Sequence, residues 1–291
     1  MNIAIHGIEF HKEFAPAMEQ LFDALQEKGA QVFFTDQFMR SLKKCHVKFA
    51  HQGVIGHDKD ISSMDFVVSV GGDGTLLDTV CLVGAHQVPI IGINTGRLGF
   101  LATVAKDRVG WAVEELFSGN YSLEDRALVS IHSNRQLFNG LNFGLNEFTI
   151  HKRDTSSMIT VHTYINGQYL NSYWADGLIV ATPTGSTGYS LSCGGPLITP
   201  GARNFVITPV SPHNLNVRPI IVSDDSEISF QIEGRTEKFL ISLDSRSTSV
   251  DASVRLTLKK ADFFARLVKF SSYNYFDTLR QKLNWGFDMR N

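Results

Sequence analysis

Residues 66–75 are Phe66-Val67-Val68-Ser69-Val70-Gly71-Gly72-Asp73-Gly74-Thr75, an apolar run that passes directly into a glycine-rich turn. Leu76, Leu77 and Val80 follow at helical spacing. The pattern therefore predicts a buried strand, a tight turn and a helix that begins in or just after that turn. Glycines let backbone N–H groups approach an anion closely, and the N-terminus of a helix attracts negative charge. The turn thus indicates a phosphate site.

Asp73 is the residue of this turn that does not suit a phosphate, because a carboxylate repels one. We therefore expect Asp73 to orient a hydroxyl, to take its proton or to hold a metal ion. The turn lacks the Gly-x-x-x-x-Gly-Lys-Ser/Thr spacing of a P-loop and the Gly-x-Gly-x-x-Gly spacing of dehydrogenases. An ordinary acidic turn without any function has the same composition. The rest of the chain must therefore decide between an ordinary turn and a phosphate site.

The first part of the chain alternates strand and helix patterns. Strands are predicted at 2–6, 31–34, 66–70 and 89–93, and helices on the apolar faces within 14–25, 76–83 and 111–117. Alternation of this kind predicts a parallel sheet covered by helices. In such sheets ligands bind beyond the C-terminal ends of the strands. Residues 71–75 and 94–97 both fall at such ends, so they are expected to flank one cleft.

The pattern changes near Tyr121 to short alternating runs separated by turn residues, which is typical of antiparallel β structure. Asn166-Gly167 predicts a hairpin turn between 159–164 and 168–170, and Asn139-Gly140 predicts another turn. Residues 228–232 and 239–243 are predicted to pair, and 254–258 to form a late strand. Phe276, Leu279 and Leu283 indicate a helix near the end. The predicted domains are an α/β domain over 1–120, a β-rich domain over 121–266 and a tail over 267–291.

Composition excludes several classes of protein. The 291 residues are 43% hydrophobic and 19% charged, with a net charge of −2, as in a soluble globular protein without a basic surface for nucleic acid or membranes. The three cysteines, Cys45, Cys81 and Cys193, are odd in number and far apart, and they lack the spacing of metal ligands. This pattern predicts reduced thiols in the cytoplasm.

Three further segments carry polar chemistry. Asn94-Thr95-Gly96-Arg97 follows a strand and offers Arg97 to a phosphate. Residues 176–190 run from a strand into a loop rich in hydroxyls and glycines, in which Tyr189 offers a face for stacking a base. Asn146-Glu147 joins an amide to a carboxylate, which suits ribose hydroxyls. Each segment alone also suits an ordinary loop.

Together these segments resemble the NAD kinase family of ATP- or polyphosphate-dependent kinases. The resemblance follows the family's order and covers most of the chain beyond its first 65 or so residues. It is carried by residues 71–76, 94–101, 146–147, 176–195, 218–221 and 279–286. The Gly-Gly-Asp-Gly-Thr turn also occurs in diacylglycerol, sphingosine and phosphofructo-kinases, whereas residues 176–195 are far more specific.

The resemblance implies an N-terminal α/β domain with a parallel sheet, a sandwich-like all-β C-terminal domain and a C-terminal helix that packs back on the first domain. It implies transfer of the γ-phosphoryl of ATP to the 2′-hydroxyl of the adenosine ribose of NAD, with Asp73 as general base. The implied phosphate-binding residues are Gly71, Gly72, Gly74, Thr75 and Arg97. The implied NAD-binding residues are Asp73, Gly74, Asn146, Glu147, Asp176, Thr187, Tyr189 and Ser192.

The resemblance also implies a homodimer or homotetramer. We expect Mg²⁺ or another divalent cation to arrive with ATP, and we expect no metal site built by the protein alone. Gly188 and Cys193 stand where the family usually has Ala. The segment Ser242-Leu243-Asp244-Ser245-Arg246 departs from the family's common Asp-Gly-Gln, which affects the pocket locally.

Two rival interpretations share part of the pattern. A lipid or sugar kinase would use the same phosphate turn, but the chain shows no basic amphipathic segment for membranes and residues 176–192 would lose their explanation. A dinucleotide sensor without catalysis would keep Asn146, Asp176 and Tyr189 but has no need of Asp73. Asp73 as a metal ligand is the alternative to Asp73 as a base.

Overall fold

The computed structural model describes residues 1–57, 59–96, 99–153, 157–235, 238–271 and 273–284. The chain forms two compact units. The first unit comprises residues 1–125 and 265–291, and the second unit comprises residues 126–264. Among the described residues, no helix is both long and apolar enough to cross a membrane.

The helices and strands alternate in the first part of the chain, and strands dominate after it. The first elements are β1 (Asn2–His6), α1 (Ala15–Glu27), β2 (Gln31–Thr35), α2 (Asp36–Lys44), β3 (Gly53–Ile55), β4 (Phe66–Gly71), α3 (Asp73–Val83), β5 (Ile90–Asn94), β6 (Val104–Ala105) and α4 (Val109–Phe117). They are followed by β7 (Tyr121–Ser133), β8 (Phe143–Gly144), β9 (Glu147–Lys152), β10 (Ile159–Ile165), β11 (Gln168–Ala175), β12 (Gly177–Ala181) and α5 (Tyr189–Ser192). The last are β13 (Asn204–Val210), β14 (Ile220–Ser223), β15 (Ile228–Gly234), β16 (Lys238–Leu243), β17 (Arg246–Asp251), β18 (Leu256–Phe270) and α6 (Tyr275–Leu283).

The first unit is built on a parallel sheet with the strand order β3-β2-β1-β4-β5. Every residue of β4 is buried, as expected for a strand covered on both faces. Gly71 at the end of β4 lies opposite Asn94 at the end of β5. This register places the glycine-rich turn beside the loop after β5, as the pattern predicted. The last part of β18 adds to the same sheet, since Leu267 pairs with Ile90 in parallel.

Helix α2 was not predicted. Its apolar residues are few, but Phe38 and Leu42 are spaced by one turn and both are buried. The side chain of Thr35 caps its N-terminus by accepting from Phe38 N–H at 3.3 Å. A nine-residue helix with only this narrow apolar stripe gives a weak periodic signal, because tertiary burial stabilises it more than propensity does.

The second unit contains two antiparallel sheets that pack face to face. One has the order β14-β13-β12-β9-β16-β17 and the other contains β11-β10-β15 with the first part of β18. Phe148 of the first sheet and Phe230 of the second have ring centroids 5.8 Å apart in a shared apolar core. The predicted sandwich is confirmed, and with it the Asn166-Gly167 turn, whose φ values are 51° and 78°.

The predicted pairing of 228–232 with 239–243 is wrong. These segments form β15 and β16, which lie in different sheets: β15 pairs with β10 and β18, and β16 pairs with β9 and β17. Alternating hydrophobicity shows that a strand buries one face, but it does not name the partner strand. In the predicted terminal helix, Leu279 is buried, whereas Phe276 and Leu283 are exposed. Trp285 and Gly286 lie outside the described residues.

Candidate active site

The glycine-rich turn leaves β4 at Gly71 and enters α3 at Asp73, with Gly72 as the N-cap residue. A Cβ on Gly71 would lie 2.2 Å from Thr75 Oγ1, so this position requires a glycine. A Cβ on Gly72 or Gly74 would meet nothing within 4 Å. Both residues are exposed, so a phosphate has room to approach the backbone at the start of the helix.

The carboxylate of Asp73 binds the loop that follows β5. Its Oδ2 accepts the Phe100 N–H at 2.8 Å, and its Oδ1 accepts the Leu101 and Ala102 N–H groups, both at 3.1 Å. An ionised carboxylate offers about four acceptor positions. Three are used here, so Oδ2 retains one position for an incoming hydroxyl.

The loop after β5 is held by further local bonds. Asn94 Oδ1 accepts the Gly96 N–H at 2.8 Å, and the Thr95 N–H donates to Gly71 O at 3.2 Å. The structure thus brings the turn at 71–75 beside residues 94–96, the described part of the second segment that was predicted to flank the cleft. Arg97 lies outside the described residues, so its contact with phosphate stays a prediction.

In the second unit, Asn146 and Glu147 lie beside the hydroxyl-rich loop because β9 and β12 are neighbouring strands, with Glu147 opposite Ala181. The Thr182 N–H donates to Asn146 O at 2.9 Å, and Thr182 Oγ1 donates to Leu145 O at 2.6 Å. A Cβ on Gly185 would lie 2.1 Å from Asn146 O. The two segments are therefore in direct backbone contact.

This contact makes Gly185→Ala destabilising. The added methyl group meets a backbone oxygen, which cannot move as a side chain can, so we expect a loss of about 1–3 kcal/mol in the free energy of unfolding. Denaturant unfolding measures the change. Gly201→Ala is the matched control, since a Cβ there meets nothing within 4 Å. Equal stabilities for the two variants would contradict the close approach.

Glu147 is partly buried, and its ionised form is disfavoured. Burial, and secondarily the neighbouring charge of Asp244, raises the pKa of Glu147 to about 8. Its Oε2 is buried and accepts no hydrogen bond from the described residues. A Cβ on Gly188 would lie 3.2 Å from that oxygen. The carboxyl group therefore has acceptor capacity for hydroxyl donors that the described part of the chain does not supply.

Tyr189 presents an exposed aromatic ring backed by a second ring. It stacks on His151 with centroids 5.5 Å apart and an interplanar angle of 16°. Burial lowers the pKa of His151, while the charge of Asp176 opposes this decrease. Burial thus favours the uncharged form of His151 behind the Tyr189 ring. The outer face of Tyr189 is exposed and available to a planar ligand.

The other predicted residues of this loop differ in how free their polar groups are. Asp176 forms an ion pair with Lys152 Nζ at 2.5 Å, and Thr187 Oγ1 donates to Thr184 O at 3.2 Å. Ser192 is exposed on α5. The hydroxyls of Ser186 and Ser190 are buried and bond within the protein, to Pro183 O and Thr208 Oγ1, so they shape the loop instead of facing a ligand.

Comparison with known proteins identifies the family. The ATP-NAD kinase N-terminal domain matches residues 3–121, and the ATP-NAD kinase C-terminal domain matches residues 145–270. The chain belongs to the ATP-NAD kinase family. This confirms the resemblance seen in the sequence and makes the chain a phosphotransferase of the family that phosphorylates NAD to NADP with ATP.

Full-length relatives of this ATP-NAD kinase support the same family assignment. The chain is 52% identical over 292 residues to the NAD kinase of Cytophaga hutchinsonii and 44% identical over 294 residues to that of Flavobacterium psychrophilum, covering 100% of each chain in both cases. Its structure is similar to yeast NADH kinase complexed with NADH (TM-score 0.89, 22% identity, 100% of this chain and 89% of that chain). It is also similar to an NAD kinase from Archaeoglobus fulgidus in complex with ATP (TM-score 0.75, 24% identity, 98% of this chain and 99% of that chain). These likenesses establish the two-part fold.

One residue of this ATP-NAD kinase was missed as a candidate. Asp244 accepts N–H groups from Leu145, Asn146 and Glu147 at 2.8, 2.7 and 3.1 Å. The sequence feature that could have indicated Asp244 is segment 242–246, which departs from the family's common Asp-Gly-Gln. Nothing local in the sequence shows that an acid in a hairpin turn binds a segment about a hundred residues earlier in the chain.

Proposed function

We propose that this ATP-NAD kinase transfers the γ-phosphoryl of ATP to the 2′-hydroxyl of the adenosine ribose of NAD, with Asp73 as general base. The observation that carries the proposal is the Asp73 carboxylate. It lies at the start of α3 beside two exposed glycines, and its Oδ2 retains an acceptor position. A phosphate at the helix N-terminus and a hydroxyl at Oδ2 would then be close neighbours.

The transfer forms one bond and breaks another at phosphorus. The ribose 2′-oxygen bonds to the γ-phosphorus, the bond from that phosphorus to the β–γ bridging oxygen breaks, and ADP leaves. The hydroxyl proton passes to Asp73 Oδ2. Because the transition state is loose, positioning and neutralisation of charge supply most of the catalysis, and proton transfer is completed late. Gly71, Gly72, Gly74, Thr75 and Arg97 are the proposed phosphate-binding residues.

The second unit supplies the proposed contacts for NAD. Tyr189 offers its outer face to a base, and the unpartnered Glu147 Oε2 and the neighbouring Asn146 amide suit ribose hydroxyls. Asp176, Thr187 and Ser192 complete the set, together with Asp73 and Gly74 of the phosphate turn. The exposed outer face of Tyr189 and the unused acceptor on Glu147 favour a ligand that has both a planar base and a diol.

The proposed metal ion is Mg²⁺ or another divalent cation bound to the ATP phosphates. Among the described residues there is no group of three or more His, Cys, Asp or Glu side chains that could hold a metal ion. We propose that the ion keeps nucleotide and water oxygens as its ligands, with the Asp73 carboxylate available to add one. Such an ion supplies neutralisation of charge on the transferred phosphoryl group.

Activity is expected to stop with excess EDTA and to return with added Mg²⁺.

We also propose that the chain forms a homodimer or homotetramer in the cytoplasm. The second unit exposes large apolar side chains, among them Trp174, Leu215 and Ile221, with Leu215 87% exposed. Exposed apolar groups of this kind mark interaction surfaces when they lie together. Cys45, Cys81 and Cys193 form no disulfide with one another, which suits a reducing compartment. Light scattering after gel filtration measures the oligomeric state.

The direct test is NADP formation by the purified chain from NAD, ATP and Mg²⁺, followed with an NADP-specific dehydrogenase. We expect NADP to accumulate in proportion to enzyme, with ADP as the second product. Chain that is folded and binds NAD but forms no NADP from ATP would contradict the proposal. Replacing ATP by polyphosphate then shows whether the donor or the transfer itself was misassigned.

A further inference from the structure

The hairpin turn between β16 and β17 holds the backbone just before and at the start of β9. Asp244 Oδ2 accepts the Leu145 N–H, and Oδ1 accepts the N–H groups of Asn146 and Glu147. The Asp244 N–H in turn donates to Glu147 O at 3.0 Å. Four hydrogen bonds thus join one turn residue to three successive residues, two of which carry the proposed contacts for NAD.

Arg246 holds the same segment by its carbonyl groups. Its guanidinium donates from Nη1 to Leu141 O at 2.5 Å and from Nη2 to Phe143 O. A Cβ on Gly144 would lie 3.1 Å from Asp244 Oδ1, so the segment approaches the turn closely. The carboxylate and the guanidinium therefore bind the N–H groups and the carbonyl groups of residues 141–147 respectively.

We propose that Asp244 and Arg246 are positioning residues that hold residues 141–147 so that the Asn146 and Glu147 side chains face the NAD ribose. The inference rests on the proposed function, because it says how the NAD side of that reaction is held. Thr182 and Gly185 fix the segment by its carbonyl groups from the other side, so the Asn146–Glu147 backbone is held between two loops.

Asp244 also acts on Glu147 through charge. Among the described residues, the charged and titratable groups that interact with Glu147 are Asp244, from the β16–β17 turn, and the Tyr189 hydroxyl, from α5. Burial raises the pKa of Asp244, whereas its three backbone N–H donors and, to a smaller extent, the charge of Arg246 favour its ionised form. As an acceptor of ribose hydroxyls, Glu147 works in its ionised form. The value of kcat/KM for NAD is therefore expected to rise with pH through the pKa of about 8.

Asp244→Asn is the variant that tests the proposal. Asp244 has a φ of 52°, a conformation that asparagine also adopts readily, so the turn is retained. The amide has one acceptor oxygen in place of two, and its NH₂ group faces a backbone N–H. We expect KM for NAD to rise about tenfold or more, with KM for ATP unchanged and kcat changed far less. We also expect the rise of kcat/KM for NAD with pH, which reports the pKa of Glu147, to have its inflection at lower pH, because the negative charge next to Glu147 is removed.

Asp251→Asn is the matched control, since Asp251 ends the same hairpin and its carboxylate binds Arg135 and Ser253. That variant should leave both KM values and the inflection unchanged. Unchanged KM for NAD with an unmoved inflection in Asp244→Asn would overturn the proposal. Equal increases in both KM values would overturn it too, because they indicate a general loss of structure.

Arg246→Lys is a second variant that tests the positioning role if Asp244→Asn does not fold. A lysine keeps the charge but cannot bind two carbonyl groups in the fork geometry of a guanidinium. We expect a rise in KM for NAD of about threefold to tenfold, again without an effect on ATP. Titration calorimetry with NAD alone gives the same comparison without turnover. Weaker NAD binding in each variant that folds supports the positioning role even if the unmodified chain were to form no NADP, whereas unchanged binding overturns it.

Discussion

Asp73→Asn is expected to lower kcat by about 10²–10⁴-fold while the fold and the affinity for NAD are retained. The amide is of the same size as the carboxylate, and its oxygen can keep the Leu101 and Ala102 N–H groups, whereas its NH₂ group faces the Phe100 N–H and that hydrogen bond is lost. Looser positioning of the loop after β5 therefore contributes to the loss in kcat. The amide also cannot take a proton from the ribose hydroxyl. Steady-state rates of NADP formation and titration calorimetry with NAD measure the two quantities separately.

Asp23→Asn, at an exposed position of α1, is the control for this variant and should retain full activity. Full activity of Asp73→Asn would exclude the general-base role and leave Asp73 as an anchor for residues 100–102. Recovery of activity with Mn²⁺ in place of Mg²⁺ would instead favour Asp73 as a metal ligand. The crowding of N–H donors around Oδ1 and the remaining position on Oδ2 favour the base.

Gly99→Ala is expected to lower kcat about 100-fold with little effect on KM for NAD, although residue 99 has no proposed contact with substrate. A Cβ on Gly99 would lie 1.9 Å from Asp73 Oδ1 and 2.4 Å from its Cγ. Asp73 must therefore rotate away and give up the N–H groups that hold it. A displacement of about 1 Å of a catalytic group is enough for a loss of that size.

Gly96→Ala is the matched control in the same loop, because a Cβ there meets nothing within 4 Å. Comparable losses in the two variants would show that the loop tolerates no side chain at all, and the specific link to Asp73 would be wrong. A crystal structure of Gly99→Ala should show the Asp73 side chain in a different rotamer.

The parallel strands and the phosphate turn were predictable because their signals are local. The apolar run before Gly71 and the helical spacing after Thr75 lie within about fifteen residues, and the structure begins α3 at Asp73, inside the predicted turn. The Asn166-Gly167 hairpin was predictable for the same reason, since two neighbouring residues with positive φ define its turn.

Which strand pairs with which was less predictable than where the strands lie in the sequence. β15 and β16 are neighbours in sequence and both alternate, yet they belong to opposite sheets of the sandwich. Helix α2 was missed because its stability comes from burying Phe38 and Leu42 in the core. In both cases the deciding contacts are tertiary.

The amino-acid sequence by itself determined the family, the order of strands and helices around residues 66–94, and the candidate role of Asp73, because these depend on residue types at short, fixed spacing. Only the tertiary structure decided what the carboxylates bind. Asp73 reaches N–H groups 27 to 29 residues away, and Asp244 reaches N–H groups 97 to 99 residues away. A carboxylate binds whichever donors the fold brings within about 3 Å, and no local pattern of residues specifies which donors those are.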